Sequence, residues 1–205
     1  MVQLTDVITF KGNRYMIVAR TNGFKEIESF GLNPDSKTDH CILGYWRELE
    51  IINNKLVLRD LFVNSEKYPS INNISPVKTD EKDMVGVGHH LYKGINIDEN
   101  YTGKIMVGRN TLLDYISIGF PEAFAYGEVL EFEFMNGELI DIKNYSSKMI
   151  PIRIQIDSLR YKSKKKKGYS KNTSSDIIST IEKAFSLSYE TKCWWLDEEE
   201  PIFNW

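Results

Sequence analysis

Cysteine is scarce in this chain, with two in 205 residues, and Cys41 and Cys193 stand too far apart to form a C-x-x-C pair. That excludes a disulfide framework and fits a reducing compartment. No run approaches the ~18 apolar residues that a membrane span requires. The start, MVQLTDVITFKGNRYMIVAR, lacks a basic segment followed by an apolar core. The expectation is a cytoplasmic protein that makes no membrane contact. Nor does one sign of charge dominate: 26 Lys and Arg stand against 29 Asp and Glu, a net charge of −3. No global field therefore draws the chain onto nucleic acid, and any such contact has to be local.

Catalytic motifs are missing as well. There is no Gly-x-Ser-x-Gly elbow for a nucleophilic serine. Gly86-x-Gly88 lacks the third glycine and the following helix of a dinucleotide fingerprint, so no cofactor is implied and a bent loop is the simpler reading. Histidine occurs three times, as His40, His89 and His90. With Cys41 these residues offer the right ligand types for zinc. Adjacent residues on a strand point to opposite faces, however, so neither pair can easily give both members to one ion. Cys41 beside His40 is also poor geometry for a nucleophile and its base.

What the sequence does hold is alternation. Cys41 to Asn64 reads as a hairpin: Leu49 and Ile51 alternate with Glu48 and Glu50, Asn53-Asn54 turns the chain, Leu56 and Leu58 return, and Leu61, Phe62 and Val63 extend the second strand. Val129 to Tyr145 repeats the pattern around Asn136-Gly137, a turn pair that tolerates positive φ. The likeness is either a duplication or two hairpins obeying the same steric rules. An earlier hairpin joins Val7–Phe10 to Tyr15–Val18, with Gly12-Asn13 as its turn. Glu131 and Glu133 share a strand face, which reads as the solvated side of the hairpin.

Between these ribbons, 21–39 reads as a loop with one helical turn in FKEIESFG, and 64–83 as a long loop or insertion. Thr111 to Ile118 alternates like a strand. Ile150, Ile152, Ile154 and Ile156 alternate with Pro151, Arg153, Gln155 and Asp157, which predicts a half-buried strand with Pro151 at its start or on an edge. The one predicted helix begins after Thr173 or Ser174, with Ile177, Ile178, Ile181, Ala184 and Phe185 forming a stripe that faces the core. The expected fold is mainly β (α+β), antiparallel hairpins in a sandwich or partly closed barrel, with a C-terminal helix. It reads as a single β-rich domain over 1–205, with the helix and an aromatic, acidic tail at 173–205.

The segments Leu4-Thr5-Asp6, Phe10-x-Gly12-x-x-Tyr15, Gly44-Tyr45-Trp46, Glu50-Ile51 and Leu56-x-Leu58 resemble the opening half of a set of uncharacterised bacterial cytosolic proteins. In those a Trp-x-Gly-Tyr element precedes a similar Glu-Ile hairpin, and a later Tyr-x-x-x-Gly-aromatic segment matches Tyr115 to Phe120. Leu43 departs from the pattern, which has Trp or Arg there. The resemblance implies a bacterial, soluble, β-rich protein and no mechanism.

Two functional readings remain. The first is a non-enzymatic protein-binding module, an inhibitor or immunity-type antagonist of another protein. Its contact groups would be Trp194, Trp195, Asp197, Glu198 and Trp205, aromatic and acidic groups of the kind found at interfaces. The second is nucleic-acid or nucleotide binding through Lys162 and Lys164, Lys165, Lys166 and Lys167, with Tyr161 and Tyr169 placed to stack on bases. The plainer reading of the lysines is a solvated connector that discourages edge aggregation.

Overall fold

The computed structural model describes residues 2–79, 90–165 and 174–196. Ten strands run in chain order: β1 Val7–Phe10, β2 Asn13–Arg20, β3 Tyr45–Ile52, β4 Lys55–Val63, β5 Val77–Lys78, β6 His90–Tyr92, β7 Ile97–Asp98, β8 Gly103–Thr111, β9 Tyr126–Met135 and β10 Glu138–Asn144. Three α-helices follow: α1 Met149–Lys165, α2 Ser174–Phe185 and α3 Tyr189–Lys192. The fold is mainly β, as the alternating ribbons predict. No helix among the described residues is long and apolar enough to cross a membrane.

The strands hydrogen-bond in the order β10-β9-β8-β2-β1-β3-β4-β6-β5, and β10 also reaches β4. Seven of them therefore form a ring, a partly closed barrel, and β6, β5 and β7 extend it alongside β4. The pairing of β1 with β3 is parallel, whereas the other named pairings are antiparallel. A parallel neighbour needs a crossover. The long connection between β2 and β3 supplies it and carries Phe24 into the barrel core.

Both large hairpins turn on residues with positive φ, Asn53 and Asn54 in one, Asn136 and Gly137 in the other. Such turns match the right-handed twist of the strands they join. The first hairpin turns one residue earlier than expected: Lys11 and Gly12 carry the positive φ values, and Asn13 already belongs to β2.

The ring closes where the tips of the two large hairpins meet. Leu139 N–H donates to Asn54 O at 2.7 Å, and Leu56 N–H donates to Gly137 O at 2.9 Å. A single residue pair, Glu138 with Lys55, continues that contact as a ladder. Inside the ring, Ile8, Ile17, Leu49, Ile105, Phe132 and Phe134 are buried together. Phe132 stands edge-on to Phe10 and Phe134, with ring centroids 5.1 and 6.4 Å away, an arrangement that adds to the area they bury.

Two sequence expectations fail. Ile150 to Ile156 is helical, within α1. Pro151 sits in the first turn, where its missing N–H has no helical partner to lose. A 3.6-residue period splits the isoleucine series: Met149 and Ile152 are buried and Ile156 is partly so, while Ile150 and Ile154 face out. Thr111 to Ile118 is not a strand either. β8 ends at Thr111, just after Asn110 adopts a positive φ, and Leu113–Tyr115 forms a 3-10 turn.

Candidate interaction surface

The outer face of β2, β8 and β9 is covered by the helical layer. Val18, Met106 and Val129 pack beneath Met149 and Ile152 of α1 and beneath Cys193 and Trp195. Lys192 at the end of α3 anchors that layer. Fully buried, its Nζ donates to Phe120 O at 2.9 Å and to Glu122 Oε1 at 2.6 Å. Burial raises the Glu122 carboxyl above its ordinary value despite the opposing ammonium. Burial likewise pushes the Cys193 thiol well up, so it is held as a neutral packing group rather than a nucleophile.

The segment after β8 is tied to α1. Tyr115 O–H donates to Asp157 Oδ2 at 2.7 Å, and Arg160 donates to Asp114 O at 2.8 Å while lying over the Tyr115 ring. The bond to Asp157 raises the Tyr115 phenol above its usual value. α2 is tied through its last turn, where Phe120 N–H donates to Ala184 O at 2.8 Å. The elements so linked carry apolar side chains that they do not bury. Leu113 is 80% exposed, Ile154 64%, Ile178 57% and Ile181 54%. The α2 stripe is thus not core-facing at Ile178 and Ile181, contrary to the sequence expectation. The backbone tie to Phe120 is at the C-terminal end of this helix, and Ile178 and Ile181 stand in water.

Several charged residues elsewhere are held by structural partners. At one end of the barrel Arg47 is buried and donates to Asp6 Oδ2 at 3.0 Å and to Lys25 O at 3.0 Å. Its guanidinium lies over Phe24 and Tyr45. Glu99 joins this cluster and accepts from Lys25 N–H at 3.3 Å; burial raises its carboxyl above the ordinary value. Glu131 is not on a solvated face. It is 1% exposed, accepts no hydrogen bond among the described residues, and lies 3.6 Å from Lys104 Nζ and 3.8 Å from Lys143 Nζ.

The residues singled out for chemistry do not converge. The Cys41 thiol donates to Tyr45 O at 3.2 Å, and burial raises its pKa. His40 Nδ1 lies 3.2 Å from Val2 O, and the His90 ring stacks on Tyr68 with centroids 3.6 Å apart. His89 and Gly86-x-Gly88 lie outside the described residues. Among the described residues no group of three or more His, Cys, Asp or Glu is placed to hold a metal ion. Two surface depressions among the described residues, about 660 and 470 Å³, are lined by neither His nor Cys.

Of the predicted contact groups, Trp195 is 3% exposed and its indole N–H donates to Lys192 O at 3.2 Å. It is a packing residue, not a contact group. Trp194 is half-buried against the same cluster. Asp197, Glu198 and Trp205 lie outside the described residues. Tyr161 is exposed near the end of α1, which continues through Lys164 and Lys165, whereas Lys166, Lys167 and Tyr169 lie outside the described residues. The residues missed from sequence are the outward members of two helical series, Ile154 with Ile150 and Ile181 with Ile178. A helical reading of the first series is signalled by Met149, Ile152 and Ile156 at i, i+3 and i+7. The chain matches no protein-family model, and no curated protein or solved structure is similar to it, so its family is not assigned and the arrangement of its own residues carries the functional argument.

Proposed function

We propose that this chain is a non-enzymatic protein-binding module that docks another protein against its helical side. The carrying observation is the exposure of Leu113, Ile154, Ile178 and Ile181 on elements tied together by Tyr115–Asp157, Arg160–Asp114 and Phe120–Ala184. Several exposed apolar side chains on linked elements support binding, whereas isolated ones need no explanation. α1 carries Arg153, Arg160, Lys162, Lys164 and Lys165 against the single Asp157. The fitting partner therefore presents an apolar patch bordered by carboxylates. An inhibitor or immunity-type antagonist is the finer form of this reading.

A photo-crosslinking side chain at position 154 or 178 tests the surface in native cytosol. The same partner should be captured from both positions, not from position 37 on the exposed β2–β3 connection, and Ile178→Glu with Ile181→Glu should abolish capture. Adducts that are absent, or identical at position 37, refute the reading. The second reading, nucleic acid on Tyr161 and the lysines that follow, draws support from the exposure of Tyr161 on a helix that runs into them. It requires salt-sensitive binding that is lost when Lys164 to Lys167 become Gln.

A further inference from the structure

β10 is an edge left half open. Its partner on one side is β9, with a bulge that leaves Ile140 unpaired between Leu139 and Asp141, and on the other side it meets β4 only at Glu138. The reason is geometric. The Asn53-Asn54 turn ends the neighbouring hairpin at Lys55, so from Ile140 to Asn144 the strand continues past that hairpin with no second strand beside it among the described residues. Six of its seven residues are exposed. Ile140 and Ile142 stand 51% and 41% in water.

The main-chain pattern shows which groups face the opening. Leu139 N–H points away from β9, since it donates to Asn54 O, and Tyr145 N–H points towards β9, since it donates to Val129 O at 2.9 Å. In an antiparallel ladder the direction alternates from residue to residue, which holds from Tyr145 back to Asp141, and the bulge at Ile140 then resets it. Counting back from Tyr145, Asn144 and Ile142 present their N–H and C=O outward. Ile142 N–H confirms this by taking its own neighbour as acceptor, Asp141 Oδ1 at 2.8 Å.

The exposed sequence is complementary to itself. When two copies of the regular stretch 141–143 are laid antiparallel about Ile142, Ile142 faces Ile142 as a hydrogen-bonded pair. Asp141 of each copy then faces Lys143 of the other. The two charge pairs are opposite in sign, which favours this register, whereas moving either copy by two residues breaks both pairs. A two-fold axis through Ile142 generates a closed, isologous contact in which each β10 edge covers the other. We propose that β10 of one molecule pairs with β10 of a second copy in this register, joining two barrels through one continuous sheet. This surface is separate from the helical side and does not depend on it.

Sedimentation equilibrium on the full chain tests the pairing. The short contact gives a dimer with a dissociation constant in the range of about 10 μM to 1 mM, typical of small interfaces. Ile142→Pro removes an N–H that β9 does not use, so the fold is retained and the dimer is lost. Asp141→Lys and Lys143→Asp each place like charges opposite one another twice and weaken the dimer about tenfold or more. Because Lys143 also neighbours Glu131, both charge variants are made with Glu131→Gln, and their folding is checked by circular dichroism. Mixing the two single-charge variants, each weakened alone, restores association because every facing pair is then opposite in sign. A chain that stays monomeric at about 1 mM, or a dimer indifferent to these changes and to the mixing, overturns the proposal.

Discussion

Substituting Gly137 by Ala strikes the seam at which the barrel closes. Gly137 has φ +81°, and a Cβ there lies 2.6 Å from the carbonyl oxygen of Glu99, a backbone atom that cannot swing aside. Holding a non-glycine residue in the left-handed region costs about 1–2 kcal/mol. Relieving the clash moves the turn, which donates from Gly137 N–H to Tyr101 O at 2.8 Å and accepts from Leu56 N–H at 2.9 Å. Weakening those two bonds adds about 1–2 kcal/mol. The total of about 2–4 kcal/mol lowers Tm by roughly 5–15 °C for a chain of this size. Gly12 is the control: its φ is +75°, and a Cβ there meets nothing within 4 Å. Gly12→Ala keeps only the conformational cost and lowers Tm by about 2–8 °C. Differential scanning calorimetry measures both, and hydrogen exchange at Leu56 and Leu139 reports the seam directly. Equal losses at the two glycines, or seam amides that exchange as before in Gly137→Ala, refute the account of closure.

Lys192→Met leaves Glu122 without its ammonium partner. Since the Glu122 side chain keeps 22% of its surface in water, the cost is about 2–3 kcal/mol in urea unfolding, below that of a fully enclosed pair. Adding Glu122→Gln recovers part of it, and a neutral Lys192→Met refutes the anchoring role. Burial raises the Glu99 carboxyl, so the folded chain holds that proton more tightly than the unfolded one. Stability therefore falls as pH rises from the ordinary carboxylate range through the folded value, and levels off above it. Glu99→Gln should flatten that fall in unfolding curves taken from pH 4 to 8, and an unchanged slope argues against it. Ile152→Ala in α1 costs about 2–4 kcal/mol, whereas Ile154→Ala stays within about 0.5 kcal/mol. A strand would put both on one face and make the losses equal.

The hairpins were legible because their turns are local chemistry. Asn53-Asn54 and Asn136-Gly137 accept positive φ, and the flanking alternation sets two faces. α1 was not legible, because a series of isoleucines two apart satisfies a strand and a helix at once and β-branched residues tilt the reading to the strand. Met149 and Ile152 settle the matter only once the outer face of β9 is there to receive them. α2 was recognisable as a helix, but its surroundings were not, since whether Ile178 is covered depends on distant residues. The same holds for Glu131: alternation predicts which side of β9 it occupies and says nothing of the helical layer beside it. Trp195 lies on one contiguous aromatic tail with Trp194, yet only the first is enclosed. Burial at that scale is a property of the tertiary fold.

Closure at the tips alone leaves this barrel with an edge that is open among the described residues. A fully zipped β4–β10 pair would satisfy every outward N–H and C=O of β10, and the hairpin ending at Asn53-Asn54 is too short for that. An unpaired edge invites association with any extended chain. Here the invitation is narrowed at each position: Asp141 occupies the Ile142 N–H, Lys143 and Asp141 place charge beside the isoleucines 3.7 Å from one another, and Asn144 spends its side-chain oxygen on Ser146 N–H at 2.9 Å. An incoming strand has to replace the Asp141 bond and neutralise both charges in one register, and a second β10 meets both conditions with its own Lys143 and Asp141. The features that guard the edge against indiscriminate pairing are therefore the ones that select its partner.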